Sequence, residues 1–139
     1  MNKDLEIAKN VLRENEFTCV LEKDDHVFTS TKRGVAPLLD WIEQGLDLNG
    51  FSAADKVVGR GAAMLYILMG IQSLYAGVLS KEAEDALKQA GIEVYCDELV
   101  PRIQNRTKTG YCPMEEAVLG IIDPEEALVA IKKKLESLR

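Results

Sequence analysis

Residues 72–98, QSLYAGVLSKEAEDALKQAGIEVYCDE, decide the fold. QSLYAGVLS is a β-rich, largely apolar run that reads as an interior strand, and Ser80 follows it as a helix N-cap. KEAEDALKQA is a charged helix that Gly91 stops, and IEVYCDE is a second strand. Parallel neighbours need a crossover connection of roughly a dozen residues or more, so strand, helix and strand on this spacing have the form of a parallel βαβ unit.

Upstream of that unit, LDLNGFSAA reads as loop, and ADKVVGRGAAMLYILMG (54–70) reads as a polar entrance to a long apolar helix closed by Gly70. Residues 55–97 are thus expected to run helix, strand, helix, strand. The most apolar stretch, Ala62–Leu79, is interrupted by Gly70, Gln72, Ser73 and Gly77, so it reads as a buried helix and a strand rather than a membrane span. Residues 3–15 space Leu5, Ile7, Ala8, Val11 and Leu12 as an amphipathic helix. FTCVLEK and HVFTST form a hairpin around Asp24-Asp25, and GVAPLLDWIEQG is a short helix with Pro37 early and Gly45 at its end.

Downstream, LVPRIQNRTKTGYCPMEEAVLGI mixes Pro101, Asn105, Gly110 and Pro113 with basic residues, which predicts an irregular loop ending in a short helix around Met114–Leu119. Asp123 caps a last helix with Pro124 at its first position and Ala127, Ile131 and Leu135 on its buried side. No internal repeat or low-complexity tract breaks the chain, so residues 1–139 are read as one three-layer α/β domain with a mixed sheet.

Composition bounds the function. With 139 residues, 47% hydrophobic and 29% charged, the chain can bury a real core without disulfides or metals. Its 17 Lys and Arg against 23 Asp and Glu leave a net charge of −6, which argues against general nucleic-acid or membrane-surface binding while leaving room for a local basic pocket. Cys19, Cys96 and Cys112 are an odd set that fits a reducing compartment, and MNKDLEIAKNVLRENE has no apolar run of signal-peptide length, so a cytoplasmic location is expected.

The element order, together with the words ADKVVGRGAAMLYILMG, YAGVLS, ELVPRIQNR and GYCPMEEAV, resembles an uncharacterised prokaryotic family, domain of unknown function 1893, over nearly the whole chain. The resemblance implies a cytidine-deaminase-like α/β/α fold: a hairpin followed by parallel strands, with a ligand cleft near the N-termini of the two central helices. Deaminases of that superfamily hold zinc with His or Cys, x, Glu at the first helix and Pro-Cys-x-x-Cys at the second. Here VVGRGAAM and LSKEAEDA stand at those places, the one histidine, His26, lies in the hairpin, and Cys112-Pro113-Met114-Glu115 has the order reversed and comes a strand too late. Zinc-dependent deamination is therefore disfavoured, and neither a metal nor another cofactor is expected.

Four groups of residues could carry chemistry. Gly59 and Gly61 around a helix start let a backbone approach an anion, with Lys56 and Arg60 adding charge; without a third glycine or a clear preceding strand, close helix packing explains the glycines equally well. Arg102, Asn105, Arg106 and Lys108 form a basic loop suited to a phosphate or carboxylate, against the plainer reading of solvated charge. Cys112, at the N-cap of a helix opened by Pro113, could serve as a nucleophile with Glu115 on the same turn; equally, the thiol could be inert and Glu115 could steady the helix start. Arg33-Gly34 either closes over the cleft or is a turn, and Asp55 either caps its helix or orients Lys56.

The reading these residues favour is a zinc-independent protein of the deaminase-like fold that binds a small anionic metabolite, nucleotide-like or otherwise phosphate-bearing. Lys56, Gly59, Arg60, Gly61, Arg33, Asn105 and Arg106 would hold the ligand, with Cys112 and Glu115 facing the reacting or recognised group. Turnover is left open. The alternatives are a non-catalytic ligand sensor and a structural or oligomeric interaction domain; a homodimer through exposed helices or a sheet edge is an expectation in any of the three.

Overall fold

The hairpin starts the sheet. In the structure, a computed structural model that describes residues 1–104 and 112–138, β1 (Cys19–Lys23) turns through Asp24 and Asp25, both at positive φ (48° and 70°), into β2 (His26–Ser30). Positive φ at both central residues is what a tight two-residue hairpin needs, and Asp is among the few side chains that tolerate it. On its other side β1 pairs antiparallel with β3 (Ser52–Val58). From β3 onward the sheet is parallel, through β4 (Ser73–Ser80) and β5 (Glu93–Val100), giving the order β2-β1-β3-β4-β5.

Helices cover both faces. On one side lies α1 (Lys3–Glu14), whose Leu5, Ala8 and Leu12 pack on Val20, Ala54 and Tyr75. On the other, α2 (Ala36–Glu43), α3 (Arg60–Met69) and α4 (Lys81–Gln89) share a larger core with Leu21, Ala53, Val58, Leu74, Ala76 and Leu79. The chain ends in α5 (Pro113–Ala117), shorter than the helix expected around Met114–Leu119, and α6 (Pro124–Ser137), which buries Ala127 and Ile131 against that core. The result is the three-layer α/β/α arrangement with a mixed sheet, and the hairpin followed by parallel strands that the sequence leads one to expect. Among the described residues no helix is long and apolar enough to cross a membrane.

One expectation is overturned. Residues 54–70 are not a helix with a polar entrance: Ser52–Val58 is the central strand of the sheet, and α3 begins only at Arg60. A central strand covered on both faces by helices has room for small side chains, and Ala53 and Ala54 fill it at 0% exposure. Alanine, aspartate and lysine are weak strand formers, so local pattern gives this strand no signal. The strand also departs from plain alternation. Asp55 turns to the α3 side, Lys56 and Val57 are both exposed, and Val58 enters the same core again. At this point β4 carries Gly77, where a Cβ would stand 2.8 Å from the Lys56 carbonyl oxygen, so only glycine lets the two backbones approach.

The element ends follow local chemistry. Asn2 accepts the Leu5 N–H at 2.7 Å and Ser80 the Ala83 N–H at 3.1 Å, each satisfying a first-turn donor that the helix itself leaves unpaired. Asp123 occupies the N-cap position of α6 with no side-chain cap bond.

Candidate functional site

α3 begins directly off the carboxyl end of β3, so its first N–H groups and the strand end open onto one place. That is where open α/β sheets bind ligands. A cleft of about 490 Å³ lies there, within the range of small-molecule sites. It is lined by Asp55, Lys56, Val57 and Gly59 at the end of β3, by Arg33, Gly34 and Val35 from the loop before α2, and by Cys112, Met114 and Glu115 at α5.

The N-terminus of α3 is occupied by the chain itself. Glu115 Oε2 accepts the Arg60 N–H at 3.0 Å and Oε1 accepts the Gly61 N–H at 3.3 Å, so a carboxylate from α5 sits where the helix presents unpaired donors. Gly59 is what admits it. A Cβ there would lie 1.8 Å from Glu115 Oε1, and one on Gly61 would lie 3.2 Å from the Met114 carbonyl oxygen. Burial pushes the Glu115 carboxyl up, and the two amides work against that. Arg60 answers from the other direction: its guanidinium donates to the Val118 carbonyl at 2.6 Å and to that of Ile121. α3 and α5 are therefore held by a reciprocal clasp, carboxylate to amides one way and guanidinium to carbonyls the other.

Asp55 is the cleft group that sequence reasoning left undecided between helix cap and lysine partner. It lies within β3, and only 6% of it is exposed. Its Oδ2 accepts the Tyr66 hydroxyl at 2.6 Å, and that hydroxyl lies 3.1 Å from Cys19 Sγ. Burial pushes the Asp55 carboxyl up to about 7, against the pull of the Tyr66 hydroxyl and the backbone N–H groups of Val57 and Lys56. Burial and the neighbouring Asp55 charge push both the Tyr66 phenol and the Cys19 thiol well above their ordinary values. Near neutral pH, therefore, only Asp55 of the three exchanges its proton.

Of the residues singled out from sequence, the structure brings Arg33, Lys56, Gly59, Cys112 and Glu115 to one cleft. Cys112 holds the N-cap position of α5, half-buried, with its own N–H on the Ile103 carbonyl at 3.1 Å. Arg60 and Gly61 do not line the cleft: the guanidinium is committed to α5, and Gly61 packs under Met114. Asn105, Arg106 and Lys108 lie outside the described residues. Arg102 lies beyond the cleft lining. Contrary to expectation, a strand does precede the Gly-Arg-Gly turn. The hydroxyl-bearing Thr18 and Thr31 are cleft residues that sequence reasoning passed over, and no local signal points to them; Asp55 was singled out beside Lys56, but not as part of the ligand site. Among the described residues no three His, Cys, Asp or Glu side chains gather as metal ligands do.

Fold and cleft together define a three-layer α/β/α protein with a small-molecule-sized site at the carboxyl end of its central strand. The chain belongs to the family described as domain of unknown function DUF1893, whose model matches residues 7–135. It is similar to the crystal structure of a DUF1893 family protein from Thermotoga maritima, at 26% identity and a TM-score of 0.86, over 96% of this chain and 92% of that one. A diaminohydroxyphosphoribosylaminopyrimidine deaminase/5-amino-6-(5-phosphoribosylamino)uracil reductase of the same organism overlaps at 15% identity and a TM-score of 0.43, over 68% of this chain and 34% of that one. No curated protein sequence matches the chain.

Proposed function

We propose that this cleft binds a small anionic metabolite, nucleotide-like in carrying a phosphate. The observation that carries the reading is the pair Lys56 and Arg33 on its lining: neither side chain has a carboxylate partner among the described residues, in a protein of net charge −6. Two cations without a carboxylate partner among the described residues, at the rim of a concave site, favour an anion there, and the exposed Gly34 leaves backbone accessible beside them. Cys112 lines the same cleft. Calorimetric titration with inorganic phosphate and with nucleoside 5′-monophosphates tests this. Wild type binds, and a Lys56→Ala, Arg33→Ala double variant loses on the order of tenfold or more in affinity; equal binding by the two proteins, or none by wild type, overturns the reading.

A second reading, a sensor that does no chemistry, is supported by the place of Glu115. Its carboxylate is already bonded to the α3 amides and so is not free to act as the partner that a cysteine-based mechanism would use. Cys112→Ser separates the two: a sensor keeps its affinity and has no turnover to lose, whereas an enzyme using thiolate chemistry binds and no longer turns over.

A further inference from the structure

Asp55 is a carboxyl group in a cleft, almost wholly out of water. No Lys or Arg pairs with it among the described residues, and Lys56, its neighbour in the chain, is exposed on the strand surface. Buried carboxylates are ordinarily paired, because desolvation of an isolated one costs several kcal/mol. A carboxylate offers about four acceptor positions. The Tyr66 hydroxyl reaches this one at 2.6 Å, while the Lys56 N–H is on the Thr18 carbonyl at 3.3 Å. Acceptor positions are left, and they belong to a side chain that lines the cleft.

The donors are also arranged in one sense. Tyr66 gives its proton to Asp55, and Cys19 Sγ, 3.1 Å behind, is free to give its own to Tyr66 oxygen. That order prepares the ionised carboxylate. Among the described residues no positive charge completes it.

We propose that the cleft takes a dipolar ligand, an amine-bearing phosphate or carboxylate, whose ammonium or N–H end meets Asp55 while its anionic end meets Lys56 and Arg33. This rests on the anion-binding reading above and adds the group at the ligand's other end. The charged and titratable groups that face Asp55 or share its cleft are Cys19 from β1, Tyr66 from α3, Arg33 before α2, Lys56 on β3, and Cys112 and Glu115 at α5. Cys19 and Tyr66 hold their protons throughout the neutral range, since both are pushed well above their ordinary values. Glu115 is the other carboxyl, and it is bonded to the α3 amides.

The test uses O-phosphoethanolamine and ethyl phosphate, which share the phosphate and differ by the ammonium. The ammonium lowers the second pKa of its own phosphate, so the two phosphates do not titrate alike, and the preference is read against Asp55→Asn at each pH. For wild type the ratio favours O-phosphoethanolamine by on the order of tenfold above neutrality and shrinks below it, as Asp55, with its carboxyl at about 7, takes up a proton. In Asp55→Asn the ratio keeps only the part that comes from the two phosphates' own titration, and the preference above neutrality is gone. Tyr66→Phe keeps the carboxyl and removes a donor that favours its charged form, so the preference survives and its midpoint moves to higher pH. A wild-type ratio that matches that of Asp55→Asn at every pH overturns the proposal while leaving the anion-binding reading intact, and failure of both probes to bind overturns both. A pH-dependent preference that persists in Asp55→Asn and vanishes in Glu115→Gln also overturns it, by assigning the ammonium to the wrong carboxyl.

Discussion

At the scale of single residues, the Gly59–Glu115 contact is the feature most open to a decisive experiment. A Cβ at position 59 would lie 1.8 Å from Glu115 Oε1, so Gly59→Ala must push the carboxylate off the amides of Arg60 and Gly61 or force the two chains apart. Overpacking of this kind costs about 1–3 kcal/mol. Glu115→Ala loses hydrogen bonds to a charged group and is expected to cost about 1.5–3 kcal/mol. The two costs come from one contact, so they do not add. Once the carboxylate is gone the added methyl group meets mainly the side chain of Ile103, with 2.9 Å to its Cγ1, and the double variant should be little worse than Glu115→Ala alone. Denaturant unfolding of the four proteins measures this, and additive losses would mean that Gly59 is needed for some reason other than the carboxylate. None of this pairing was legible in the chain. Gly59 and Gly61 announced a close approach of backbone, but Glu115 lies far downstream, and nothing local distinguishes a carboxylate that steadies its own short helix from one that reaches across to another.

Between elements, Asp55 and Tyr66 join β3 to α3 and make their junction sensitive to pH. The folded-state carboxyl is raised from 3.8 to about 7. Between those values the folded protein binds more protons than the unfolded chain, so the contribution of Asp55 to stability is fully present at acid pH, is lost steadily as pH rises through that window, and levels off above about 7. The full swing is of the order of 4 kcal/mol. Glu115, also raised by burial, acts in the same direction. Asp55→Asn has no such proton to lose, and it should gain on wild type as pH rises through the window; urea unfolding at the two ends of it gives the comparison. If the difference between the two proteins is constant with pH, Asp55 is ionised in the fold throughout. This junction is also where sequence reading failed most at the level of elements. The hairpin, the βαβ unit of β4, α4 and β5, and the capped helices carry strong local signals, namely paired aspartates, a β-rich run, Ser80 and the stopping glycines. β3 carries none, because its place at the centre of the sheet selects for small side chains and its kink puts Lys56 and Val57 outward together. Reading it as the entrance to a helix also hid the place of Asp55, which on a helix would have been a cap and on a strand end lines a cleft.

Across the whole molecule, the sheet divides the interior unequally. Several helices share the face that carries α3, but among the described residues α1 packs on the opposite face alone, over Val20, Ala54 and Tyr75. Its Asn2 cap is tied in as well: the amide donates to Ser73 Oγ at 2.8 Å, and that hydroxyl lies 2.7 Å from Ser52 Oγ, so the helix start is pinned to the first residues of both β3 and β4. The smaller core therefore backs the same central strand that carries the cleft on its other end. Leu5 is fully buried in it. Truncation of a buried leucine to alanine costs about 2–5 kcal/mol, and a domain of this size has only about 5–15 kcal/mol in hand. Leu5→Ala should accordingly lower the denaturation midpoint markedly with an unchanged slope, and because Ala54 lies beneath α1 and Asp55 follows it, phosphate binding in the cleft should weaken in parallel with stability as denaturant is added. Ile122→Ala supplies the contrast: that side chain is 86% exposed, and its removal is expected to shift stability by no more than about 0.5 kcal/mol and to leave binding alone. A small loss for Leu5→Ala would show that β3 is held by the larger core alone, with α1 a dispensable cover rather than part of what fixes the site.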